Sequence, residues 1–205
     1  VMGWYMVKSG LVDRPDVSQY RLAAHLGLAL VILAAMLWVA LDLIRPEPSP
    51  ADRRFKQGSL ALLALITVTA VSGAFVAGLD AGFIYNTFPL MDGELIPDDL
   101  FSLSPFYLSF FEDILTVQFD HRVLAITTFA AILVFWWRTG RAPLTHSQTR
   151  ATRALAAAAV IQFGLGVSTL LLVVPVSLAA LHQAGALMLL GAGVWVAHEF
   201  RSSRG

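Results

Sequence analysis

The chain has 205 residues, of which 57% are apolar and only 14% charged, and its formal net charge is zero. A soluble globular chain carries about 25% charged residues, so a mean hydropathy of +0.70 excludes a water-soluble domain. The balanced charge gives no reason to invoke nucleic acid, and the absence of cysteine excludes disulfides, thiolate metal sites and cofactors joined through sulfur.

The chain opens at Val1 with neither Met nor a basic lead-in, which reads as a piece of a longer protein. Val1 to Val7 resembles the tail of a helix. Apolar runs long enough to cross a bilayer, about 20 residues each, follow in order: Tyr20 to Ile44, Gln57 to Leu79, Val117 to Trp137, Thr152 to Val174 and Val176 to Phe200. Pro175 separates the last two, because proline ends or kinks a helix. Orientation follows from Lys and Arg in the short connections. Arg45, Arg53, Arg54 and Lys56 follow the first span, and Arg138, Arg141, Arg150 and Arg153 lie between the third and fourth. Arg201 and Arg204 follow the fifth. These segments face inward, to the cytoplasm or the mitochondrial matrix. The segment from Asp80 to Asp120 has eight acids and no Lys or Arg, and faces outward.

That outer segment is long for a connection and rich in Phe, Tyr, Leu and Met. Short surface helices capping the bundle would explain this; an ordinary interfacial aromatic belt is the alternative. A lid would contain a short helix and turn Phe88, Leu90 and Met91 toward the bundle.

Three histidines, His25, His121 and His182, sit near the outer starts of the first, third and fifth spans. Imidazole in a bilayer is costly and marks function, and it is the usual ligand of heme iron. His182 lies roughly 9 Å into its span at 1.5 Å per residue, among Leu181, Ala184 and Gly185. His121 follows Asp120 and precedes Arg122, a candidate partner for a heme propionate. As a pair at one depth, His121 and His182 can clamp one heme; neighbouring helices, with ring nitrogens about 4 Å apart across it, are the expected arrangement. The alternative for His121 alone is a hydrated interfacial residue. His25 shares a helical face with Arg21 one turn earlier and serves either a second heme pocket or an outer-end snorkelling pair. His146 reads as solvated and His198 as interfacial. In the second span Ala74, Gly78 and Gly82 form a small-residue stripe that permits close helix approach or lets a flat macrocycle lie against backbone; Gly164, Gly166 and Ser168 form a similar patch.

Ala24-His25-Leu26-Gly27 matches Leu181-His182-Gln183-Ala184, and Gly3 and Ser9 match Gly164 and Ser168 loosely. The expected fold is therefore an all-α integral membrane protein: a transmembrane four-helix bundle from spans two to five, plus part of a preceding, pseudo-repeated four-helix unit. Residues 1–50 would form the end of the first unit, and 51–205 the second with its outer loop 80–120.

Gly3-Trp4-Tyr5-Met6-Val7-Lys8-Ser9-Gly10-Leu11, Val17-Ser18-Gln19-Tyr20-Arg21-Leu22-Ala23-Ala24-His25 and Gly73-Ala74-Phe75-Val76-Ala77-Gly78-Leu79-Asp80-Ala81-Gly82 resemble heme A synthase of the alphaproteobacterial and mitochondrial type. Tyr85-Asn86-Thr87-Phe88-Pro89-Leu90-Met91, Gln118-Phe119-Asp120-His121-Arg122 and Leu181-His182-Gln183 extend the likeness over the whole chain. The resemblance implies an eight-span oxidoreductase acting on a CH3 group, which converts a porphyrin methyl of heme O to the formyl of heme A. It implies heme b between His121 and His182, passing electrons, and a substrate heme on the side of His25. It further implies a bacterial inner (plasma) membrane or a mitochondrial inner membrane, with heme O synthase and cytochrome oxidase assembly factors as candidate partners. A membrane cytochrome b without heme-modifying activity is the rival reading, and a transporter a further one.

Overall fold

In the computed structural model, residues 18–45, 47 and 52–201 are described. The segment 1–17, with its helix tail, first motif and half of the repeat, lies outside them. Among the described residues there are six α-helices and no strand: α1 Gln19–Ile44, α2 Arg53–Gly78, α3 Ser109–Glu112, α4 Ile114–Thr139, α5 His146–Leu171 and α6 Val176–Glu199. All but α3 are long and apolar enough to cross a membrane.

Three helices start earlier than their apolar runs, because polar caps begin them. Asp52 accepts from the Arg54 N–H and Asp113 from the Thr116 N–H. Thr145 and Gln148 form a reciprocal capping box that satisfies otherwise orphan amide groups. The apolar run of the fourth span reaches Val174, but α5 stops at Leu171. Val173 and Val174 take φ of 59° and 55°. The Val174 N–H donates to the Thr169 carbonyl and the Val173 N–H to that of Leu170, which is a Schellman closure. β-branched residues rarely enter this left-handed region, so the sequence pattern points away from it.

Helices α2, α4, α5 and α6 form a ring in which α2 and α5 each pack against both α4 and α6, leaving α4 and α6 at opposite corners. Helix α1 lies outside the ring, on α2 and α6. Close packing concentrates at the inner end. There Phe55, Phe135 and Phe200 meet edge to face over a core including Leu62, Ile132 and Leu155. Nearer the outer end, residues 67–73 of α2, 119–127 of α4, 160–168 of α5 and 176–188 of α6 include no fully buried side chain. The ring is closely packed at its inner end and holds no fully buried side chain at the depth of His121 and His182.

A polar network joins α1 to the ring at the inner end. Arg45 bonds Glu199 and Ser147 and stacks over Trp195, whose Nε1–H also reaches Glu199 at 3.0 Å. His198, expected at the interface, is fully buried. Asp42, from α1, meets its Nε2 at 2.9 Å and satisfies a group that could not otherwise be buried cheaply.

The outer segment is mostly irregular, with short 3-10 turns at Ala81–Phe83 and Phe106–Leu108 and the one-turn α3. It is tied down through its backbone. Arg122 donates to the carbonyls of Thr87 at 2.8 Å, Leu90 and Tyr85. Gln118 donates to those of Ala81 and Ile84 at 2.7 and 2.6 Å, and Asn86 to that of Leu170. Met91 is buried and Phe88 packs on Phe163. Leu90, expected to face the bundle, is 40% exposed, because its carbonyl rather than its side chain is what the bundle holds.

Candidate cofactor site

His121 comes seven residues after the start of α4 and His182 six after the start of α6, so both lie roughly 10 Å in from the same end. They occupy opposite corners of the ring, not neighbouring helices as expected. His121 lies against α2 and His182 against α5.

Each ring is seated against a glycine of the preceding ring helix. A Cβ at position 73 of α2 would lie 3.2 Å from His121 Cε1, and one at 166 of α5 would lie 2.9 Å from His182 Cε1. Each is also held at Nδ1, His121 by Ser72 Oγ at 2.8 Å and His182 by Gln162 Nε2 at 3.1 Å. Both Nε2 atoms are left for a ligand. The sequence marks Gly166, though not Gly73, as a small residue for a macrocycle or for packing; in the structure both make room for an imidazole. Neither Ser72 nor Gln162 is singled out by the sequence. Gly78 serves close packing, since a Cβ there would lie 2.5 Å from Gln19 Cα of α1.

The donor set discriminates between kinds of metal group. Among the described residues no cluster of three or more His, Cys, Asp or Glu could hold a bare ion. Two imidazoles from opposite corners suit an iron whose other four ligands come from a planar macrocycle. The glycine seats, the buried and unpartnered Gln162 Oε1, and the stacked Phe129 and Phe163 at 4.5 Å fit such a group.

His25 sits on the exposed face of α1, six residues from its start like His182, away from the ring interior. Nearby, Tyr20 donates to Glu112 at 2.7 Å, tying the start of α1 to α3. Arg122 has its terminal nitrogens on the loop carbonyls and Gln118 Oε1, and only its Nε is without a partner. His146 is exposed at the start of α5.

A family model described as "Cytochrome oxidase assembly protein" (COX15-CtaA) matches residues 1–194. The chain is 54% identical to "Heme A synthase" of Nitrosospira multiformis over 98% of its own length and 57% of that protein. It is 49% identical to "Heme A synthase COX15" of Bos taurus and of Homo sapiens, over 98% of this chain and 51% and 52% of theirs. The chain thus spans about half the length of the curated relatives it matches. No solved structure matches it.

Proposed function

Because this chain belongs to the cytochrome oxidase assembly protein family, we propose that it is the larger part of a heme A synthase, oxidising a porphyrin methyl group of heme O to the formyl group of heme A. The observation that carries this reading is the pair of glycine-seated imidazoles, both held at Nδ1 and both at one depth, on opposite corners of the ring. In this reading His121 and His182 would hold a heme b.

Heme b held between two histidines supplies one-electron transfer, which side chains cannot provide. The protein's part is to hold and shield. Gly73 and Gly166 let the rings approach, and Ser72 and Gln162 fix their rotation. The outer segment, fastened by Gln118, Arg122 and Asn86, keeps water from the outer end, and excluding water strengthens the charge contacts inside. Arg122, whose Nε is buried without a partner, is the residue assigned to a propionate. Residues 51–205 form the heme b half and 1–50 the end of the substrate half, where His25 on α1 faces the substrate heme. The setting is a bacterial inner membrane or its mitochondrial counterpart, with heme O as substrate.

The test is the absorption spectrum and extracted heme content of the membrane-extracted protein, with and without supplied heme O. His121→Ala or His182→Ala should each abolish the low-spin heme b spectrum. An unchanged spectrum would remove the ligand assignment. A bound heme b with no heme A formed would favour an electron carrier without heme-modifying activity.

A further inference from the structure

We propose that the cleft at the inner end between α2 and α4 is a binding site for an anionic phospholipid, whose headgroup phosphate it would hold between Arg54 and Arg138. Both arginines lie at the end of the bundle opposite to the histidine pair, at the start of α2 and the end of α4.

The cleft has a volume of about 490 Å³ and is lined by Asp52, Arg54, Phe55, Gly58, Phe135 and Arg138. Its floor is apolar. Phe55 and Phe135 meet edge to face at 6.2 Å, and the Phe135 ring lies against Gly58, where a Cβ would come within 3.1 Å of its Cε2. Its rim is charged. Asp52 is committed to capping α2, with its Oδ1 2.8 Å from the Arg54 backbone nitrogen. The guanidiniums of Arg54 and Arg138 form no hydrogen bond or ion pair among the described residues, and both side chains are exposed. Two free cations facing one committed carboxylate leave an excess positive charge, which suits the single negative charge of a phosphodiester.

A free anion would need the rim alone, but the surfaces leading away from the rim suit acyl chains. Arg54 heads an exposed stripe of α2 that continues through Ala61, Ala64 and Val68. Arg138 ends an exposed stripe of α4 that runs through Val123, Ala130 and Val134. These spacings keep residues on one helix face, and the two helices pack against each other. Small side chains at positions 58, 61 and 64 keep the α2 surface low, so a chain can lie close to the backbone. Trp136 and Trp137, 44% and 55% exposed, adjoin Arg138, and exposed tryptophans settle at headgroup level. The rim then lies near the plane of the phosphates, on the side where Lys and Arg gather, and basic clefts between spans at that level take phospholipid headgroups.

The test is native mass spectrometry of the detergent-extracted full-length protein titrated with phosphatidylglycerol, with affinity read from the lipid-bound fraction. Arg54→Gln and Arg138→Gln should each weaken binding by about fivefold, and the two together by about thirtyfold. Arg53→Gln combined with Arg150→Gln removes the same charge from the same side, at exposed positions outside the cleft, and should leave the affinity unchanged. Phosphatidylcholine, whose headgroup carries a compensating cation, should bind about fivefold more weakly. Neither inorganic phosphate nor glycerophosphoglycerol, the headgroup without its chains, should displace the lipid at equal concentration. Unchanged binding in the Arg54 and Arg138 variants overturns the site, as does an equal loss in the Arg53 and Arg150 variant, which would mean diffuse charge attraction. Equal affinity for phosphatidylcholine overturns the preference for an anionic lipid. Displacement by inorganic phosphate would mean a site for a free anion and overturns the lipid assignment. If the double cleft variant does not fold, the two single variants decide.

Discussion

Replacing Gly166 by alanine puts a methyl group where His182 rests. The new Cβ would lie 2.9 Å from Cε1, 3.5 Å from Nδ1 and 3.6 Å from Nε2. Carbon–carbon contact is favourable from about 3.5 Å, so the ring must retreat by roughly 0.6 Å. That exceeds the tolerance of about 0.5 Å within which a ligand shell must be held. At Gly73 the corresponding approach is 3.2 Å, and a retreat of roughly 0.3 Å suffices. At Gly164, on the same helix as Gly166, an added methyl would meet nothing within 4 Å. Each substitution also gains up to about 1 kcal/mol of helix propensity, so none should unfold the bundle by itself. The expected order is therefore no spectral change for Gly164→Ala, a small change for Gly73→Ala, and for Gly166→Ala a large high-spin fraction with heme retention weaker by on the order of 10- to 100-fold. Magnetic circular dichroism of the ferric protein reads the spin state, and transfer of heme to an acceptor protein reads retention. A Gly166→Ala protein indistinguishable from Gly164→Ala would refute the seat, and with it the placement of His182 in the heme site.

Three other substitutions probe the surroundings. Arg122→Gln removes the donors to the carbonyls of Thr87, Leu90 and Tyr85; at roughly 1.5 to 3 kcal/mol per charge-assisted bond, it should expose residues 83–111 to protease from the outer side, and an unchanged cleavage rate would show that the segment is held elsewhere. Glu199→Ala strips Arg45, Ser147 and Trp195 of their shared acceptor; losing one member of such a buried set costs about 3 kcal/mol or more, visible as a lowered melting temperature in detergent. Gly78→Ala drives a methyl against the backbone of Gln19 at 2.5 Å, and overpacking of this kind costs roughly 1 to 3 kcal/mol. Because that contact lies between α1 and α2, it should lower the melting temperature while leaving the spin state of a heme between His121 and His182 as it was.

The spans are legible because a bilayer demands long apolar runs. The true helix starts are not, since hydropathy ends where the apolar run ends, while Asp52, Asp113 and Thr145 cap helices that begin in polar sequence. The Thr145–Gln148 spacing is a visible capping signal. The depth of His121 and His182 can be counted along the chain. Their opposite corners cannot, because a helix that is apolar all round gives no clue to which side faces which neighbour. His198 looks interfacial because Glu199 and Arg201 adjoin it; the partner that lets it be buried, Asp42, is contributed by a helix more than 150 residues earlier. The hold on the outer segment is hidden for a different reason: it is made to backbone carbonyls, which every residue carries alike.

Consecutive residues of α4 carry two tasks. His121 turns toward the ring interior, and Arg122 grips the carbonyls of the segment above it. The fastening of the cover and His121 are one peptide bond apart, so lifting the cover at that point first breaks the bonds of Arg122. Departure of a bound prosthetic group would then be governed by how rarely this clasp opens, and residence time in the membrane would reflect a barrier as much as an equilibrium affinity. A group captured before the segment closes would be retained on the timescale of local unfolding.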